Sequence, residues 1–85
     1  MAQWFQGMPR FYFDVTDTGR TFRDPEGTQL QSIEEARAEA LATLGGIARD
    51  ELPDGDVREF VIRVRTEEGL VLLTASLSLR VERMS

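Results

Sequence analysis

The chain predicts a two-layer α+β domain of order ββαββ, with one helix packed on a four-stranded antiparallel sheet. Three observations carry that expectation. Residues from Arg10 to Thr16 set Phe11, Phe13 and Val15 against Tyr12, Asp14 and Thr16, a period of two. Ile33, Ala36, Ala40, Leu44 and Ile47 recur at steps of three and four, a helical stripe. Period two then returns from Glu59 to Thr66 and from Leu70 to about Arg83. A sheet face and a helix stripe each bury their apolar side only against another layer, so the two pack together.

Each element has its own local cause. The first strand, Arg10 to Thr16, is rich in aromatic and β-branched residues. Asp17-Thr18-Gly19 turns the chain, because Gly19 can supply a positive φ, and Thr21 to Arg23 closes a hairpin. Asp24-Pro25-Glu26-Gly27 stops that second strand, since Pro25 removes a ladder donor. Ser32 opens the helix: Ser32-Ile33-Glu34-Glu35 is a capping box, and both glutamates favour the positive end of the helix dipole. Gly45-Gly46 interrupts the stripe at about 1 kcal/mol per glycine. Ile47 and Ala48 continue it, so one helix, bent if need be, is expected to about Asp50, with Leu52-Pro53-Asp54-Gly55 ending it.

In the third strand Phe60, Ile62 and Val64 are expected inward and Val61, Arg63 and Arg65 outward. Glu67-Glu68-Gly69 makes a hairpin turn. The long last strand should point Val71, Leu73, Ala75, Leu77, Leu79 and Val81 to the core and Thr74, Ser76, Ser78, Arg80 and Glu82 away from it. If the helix returns the third strand beside the first, the spatial order is 2-1-3-4 with every pairing antiparallel. The single domain is expected over residues 8–85. Residues 1–7 are expected to be a flexible extension, with Met8 as the native start.

Composition narrows the function. Eighty-five residues and 9.6 kDa allow one thin core and no deep cleft between lobes. Hydrophobic residues make up 41 % and charged residues 29 %, a soluble globular mixture with no membrane span and no signal-peptide start, so a cytoplasmic location is expected. The absence of cysteine and histidine removes thiolate chemistry, disulfides and the Ser-His-Asp triad. All ten basic residues are arginine, which removes Schiff-base chemistry and a P-loop lysine. A net charge of −5 repels phosphate backbones and argues against nucleic-acid binding unless arginines cluster on one face.

The candidate surface is the sheet face that the helix leaves uncovered, together with the final strand. It comprises Tyr12, Val61, Arg63, Arg65, Leu70, Leu72, Thr74 and Arg80. Arginines beside an aromatic could stack on single-stranded nucleic acid, but Tyr12 is the one aromatic there, and Asp14 offers an internal partner to Arg63 or Arg65. The last strand is expected to outrun its neighbour at the sheet edge, where free amides and carbonyls invite another chain. Asp50, Glu51, Asp54 and Asp56 cluster after the helix, but lack the ordered spacing of a calcium loop and read as a solvated acidic turn. No catalytic, cofactor-binding or metal-ligating residue is assigned.

The segments M-P-R-F-Y-F-D-V from Met8, D-P-E-G-T-Q-L from Asp24, E-E-A-R-A-E-A-L from Glu34 and A-R-D-E-L-P-D-G from Ala48 resemble a family of short bacterial proteins carrying a domain of unknown function. The resemblance spans nearly everything from Met8 to Met84, supports Met8 as the start, and implies no activity. Gly45-Gly46 departs from the helix-favouring residues usual there. A weaker likeness is to the N-terminal domain of HicB-type antitoxins, on the Asp24–Gly27 turn and the Glu34-Glu35-Ala36 opening of the helix. It implies toxin binding and dimerisation, without the DNA-binding segment of those antitoxins. The sequence thus leads to a small non-enzymatic protein-interaction module, without cofactor. It is expected to form a homodimer through its last strand or open face, with an unidentified protein as a further partner. The alternative is a nucleic-acid-associated or antitoxin-like regulator.

Overall fold

The computed structural model describes residues 9–51 and 57–84. The proposed extension at residues 1–7, Met8, and the Leu52–Gly55 stop with Asp54 and Asp56 lie outside the described residues. The elements are β1 (Arg10–Asp17), β2 (Arg20–Phe22), β3 (Thr28–Gln29), α1 (Ile33–Glu51), β4 (Val57–Arg65) and β5 (Val71–Arg80). All strand pairings are antiparallel, in the order β2-β1-β4-β5, with β3 paired to β1. This is the expected α+β layering and strand order, with a short fifth strand added.

The added strand has a specific cause. Val15↔Phe22 and Phe11↔Thr28 both pair with β1, but Pro25 breaks the ladder between them. Asp24 bridges the gap with its side chain: the Phe13 N–H donates to Asp24 Oδ2 at 3.1 Å. The Glu26 and Gly27 amides donate to Asp24 Oδ1 at 3.1 and 3.0 Å, closing the turn. The β1–β2 hairpin is a two-residue turn, with Thr18 at φ 46° and Gly19 at φ 94°. Thr18 tolerates that backbone because β4 grips it: its N–H donates to the Glu59 carbonyl at 2.8 Å, and its Oγ1 accepts from the Glu59 N–H at 3.3 Å.

Helix α1 starts as the capping box requires, with the Glu35 N–H donating to Ser32 Oγ at 3.2 Å. Glu35 reaches one residue further back than expected, accepting from the Gln31 N–H at 2.9 Å. The helix runs through Gly45-Gly46 without a break. Ala36, Ala40 and Leu44 are its buried face, and the two alanines let it sit close over β4 and β5. Ile33, expected in the stripe, is more exposed than its spacing suggested, because it lies at the first helical position.

Phe60, Ile62 and Val64 of β4 are fully buried, with Phe11 completing the centre. Each such side chain contributes about 1.5–3 kcal/mol by burial. Phe13, Val15, Leu30, Ile47, Leu73, Ala75 and Leu77 flank that centre, partly buried. Three expectations for the last strand are corrected. It ends at Arg80, so Val81 lies outside it and is exposed. A bulge between Val64↔Leu73 and Arg65↔Val71 inserts Leu72 as an extra residue, which turns Val71 to the side of Arg65 and away from the core. Nor does β5 outrun β4: the strands have 10 and 9 residues and pair over their whole length.

Candidate interaction surface

Two of the expected surface residues belong to an internal network. Tyr12 is 8 % exposed and Arg65 6 %, although both sit on the sheet face opposite the helix. The Asp24–Gly27 turn folds over them. Arg65 Nε donates to Asp14 Oδ2 at 2.6 Å and its Nη2 to Asp14 Oδ1 at 3.3 Å. Nη2 also donates to the Asp24 carbonyl at 3.2 Å, and Nη1 to the Thr66 carbonyl at 3.1 Å. The guanidinium lies over the Tyr12 ring, 4.7 Å from its centroid. The Asp24 amide donates to Asp14 Oδ1 at 2.9 Å. Among the described residues no buried side-chain nitrogen or oxygen lacks a partner. Of the two partners the sequence offered Asp14, the structure chooses Arg65.

The charges follow. Burial pushes the Asp14 carboxyl up, but the Arg65 hydrogen bond, the Asp24 amide and the Arg65 charge together hold it below its ordinary 3.8. Burial likewise raises Asp24, and the Gly27, Phe13 and Glu26 amides with the Arg65 charge outweigh it. The hydrogen bond to Asp14 raises Arg65, against burial and with the charges of Asp14 and Asp24. The network is therefore a pinned ion pair with both Asp14 carboxylate oxygens hydrogen-bonded, and it fixes the turn to the sheet.

The remaining surface residues separate into two groups. Arg63 is exposed and donates to Thr16 Oγ1 at 3.3 Å, and Val61 beside it is half-buried. Thr74 and Arg80 are exposed on the same face of β5, with Arg80 Nη1 3.7 Å from Glu82 Oε2. Leu70, 64 % exposed, precedes β5 in the hairpin turn, and Leu72, 43 % exposed, occupies the bulge. With Val71 they form an exposed apolar end to the β4–β5 hairpin.

Beside these lies the outer edge of β5, the sheet edge that the sequence expected to invite another chain. Among the described residues no strand pairs with it. From Val71 to Leu79 it carries no charge and no proline, in a chain 29 % charged. Edge strands are commonly blunted by charge, proline or brevity, and this one is long and neutral. Its helix-facing Leu73, Ala75, Leu77 and Leu79 stay only partly covered, because α1 stops over β5.

A recess of about 320 Å³ is lined by Val15, Asp17, Phe22, Ile47, Glu51 and Phe60. Its carboxylates meet Arg58, whose Nη2 donates to Asp17 Oδ2 at 2.9 Å and Oδ1 at 3.1 Å and lies 3.6 Å from Glu51 Oε1. Arg58 Nη1 donates to the Glu51 carbonyl at 3.1 Å, so the arginine ties the end of α1 to β1. Among the described residues no group of three or more Asp or Glu side chains is arranged to hold a metal ion, and no helix is long and apolar enough to cross a membrane.

The family model of a domain of unknown function, DUF6894, matches residues 10–78, from the start of β1 through α1 and β4 to within two residues of the end of β5. No curated protein and no solved structure matches the chain.

Proposed function

We propose, for a chain that belongs to the DUF6894 family of domains of unknown function, the role of a small non-enzymatic protein-interaction module that forms a homodimer by strand addition along β5. The observation that carries this reading is the neutral, unblunted edge of β5, whose inward leucines are only half covered. Strand addition satisfies the free amides and carbonyls of such an edge and extends the apolar layer beneath the helix. The open face is a weaker candidate for association. Its one aromatic, Tyr12, lies under Arg65, and that arginine is committed to Asp14. The same commitment removes the pairing of aromatic and arginine on which single-stranded nucleic-acid binding would rest. The carboxylates of the recess are engaged by Arg58, which supports a structural use for them rather than acid–base chemistry.

Light scattering over a concentration series tests the proposal. The chain is expected to have a dimeric mass at high micromolar concentration. Ser76→Lys places a charge on the exposed side of the edge strand and is expected to give a monomer with an unchanged helical circular dichroism signal. A wild-type mass that stays monomeric across the series rejects the reading.

A further inference from the structure

We propose that the strand received by β5 is β5 of a second copy, paired antiparallel about a two-fold axis through Ser76, so that both helices lie on one side of a continuous sheet. The inference rests on the reading of β5 as the association edge and adds its register and geometry.

The register follows from what bounds the strand. An antiparallel pairing that keeps both helices on one face sets like-facing residues opposite one another, so the axis passes through a residue. The bulge at Leu72 ends the regular ladder on one side, and the charge of Arg80 ends the neutral stretch on the other. Between them run Leu73 to Leu79, and the midpoint is Ser76. About that axis Leu73 faces the partner's Leu79 and Ala75 faces the partner's Leu77, small against large on the helix side. On the open side Thr74 faces the partner's Ser78 and Ser76 faces the partner's Ser76, a ladder of hydroxyls. Leu72 then comes beside the aliphatic stem of the partner's Arg80, and no two like charges oppose each other. An axis through Ala75 would draw the bulge into the ladder and set alanine against alanine, leaving a hole. An axis through Leu77 would spend Arg80 inside the ladder, opposite the partner's Thr74.

The helix layer fits the same axis. Helix α1 rests on β4 and β5. With strands about 4.8 Å apart, a helix seated between them lies about 5 Å from the axis, so the two helices stand about 10 Å apart, a normal helix-pair spacing. The flank turned toward that partner carries Leu41, which is 45 % exposed and about 120° around the helix from Ile47, the residue over the β1–β2 side. Gly45 lies one turn along from Leu41 with open space beside it. An exposed leucine next to a glycine is a surface on which a second helix can rest.

The chain contains no cysteine, so single-cysteine variants report the register directly. At the axis the Ser76 Cα atoms of the two copies would lie about 4.5–5.5 Å apart, within disulfide range. Ser76→Cys is expected to form a covalent dimer on mild oxidation. Thr74→Cys and Ser78→Cys, each displaced from its own copy by about 13 Å, should stay uncrosslinked alone and join when mixed. Leu41→Glu is expected to raise the dissociation constant at least tenfold in light scattering. A dimeric mass without the Ser76→Cys crosslink overturns the register and leaves the edge reading standing. A monomeric mass overturns both. An unchanged dissociation constant for Leu41→Glu overturns the contact between the two helices.

Discussion

Gly27 shows how tightly one residue can be specified. Its φ is +71°, and a Cβ there would meet Arg10 Cγ at 2.8 Å and the Phe11 carbonyl and Tyr12 ring at 3.0 Å. Gly27→Ala should therefore cost about 2–3 kcal/mol in urea denaturation. Gly46, with nothing within 4 Å of its would-be Cβ, should gain about 1 kcal/mol on the same change. Equal effects at the two positions would refute this contrast. Asp14 and Asp24 make the second residue-scale prediction. Both titrate below 3.8 in the folded chain, so the stability they contribute is present above that ordinary value and is lost as pH falls through the lower folded value. Urea midpoints should hold from neutral pH to about pH 5 and decline below about pH 4. Asp14→Asn should lower the neutral plateau and flatten the decline, and an acid profile parallel to wild type would contradict the assignment. The Asp24 turn was legible from Pro25 and Gly27. That its carboxylate replaces a ladder bond was not, because the Phe13 amide it receives lies eleven residues away.

Among the elements, α1 was the most legible. Stripe and capping box agree: Ser32 caps as its spacing requires, and Glu35 folds back onto the Gln31 amide, one residue before the expected one. Ser32→Ala should cost about 1 kcal/mol. Leu44→Ala, in the buried face, should cost about 2–4 kcal/mol. A chevron or equilibrium urea series distinguishes the two, and a larger loss at Ser32 than at Leu44 would show that the helix is held by its cap rather than by the sheet. Strand β5 was legible only in part. Period two located its inward leucines but placed Val71 among them, since a bulge depends on how β4 and β5 pair and not on either strand alone. Strand β3 has two residues, too few to show a period.

For the whole molecule, association ties stability to concentration. If β5 binds β5, the folded state is favoured by mass action, and the melting temperature of wild type should rise with each tenfold increase in protein while that of Ser76→Lys stays constant. Identical melting temperatures at micromolar and millimolar chain would rule out a dimer that contributes to stability. The buried Asp14–Arg65 pair should be indifferent to added salt, because it is screened by protein rather than by solvent, in contrast to the exposed Arg80–Glu82 pair.

The sequence by itself determined the layers: two periods, 2 and 3.6, alternate along the chain, and each apolar face can be buried only against the other. The strand order it left conditional on the helix returning β4 beside β1, and the antiparallel pairing of β1 with β4 decided it. Only the tertiary structure decided which polar residues are surface. Tyr12 and Arg65 alternate outward as a solvated face would, yet a turn from Asp24 to Gly27 closes over them and an ion pair forms beneath it. Periodicity reports the side of a strand to which a residue points, while burial depends on what a distant segment lays over that side.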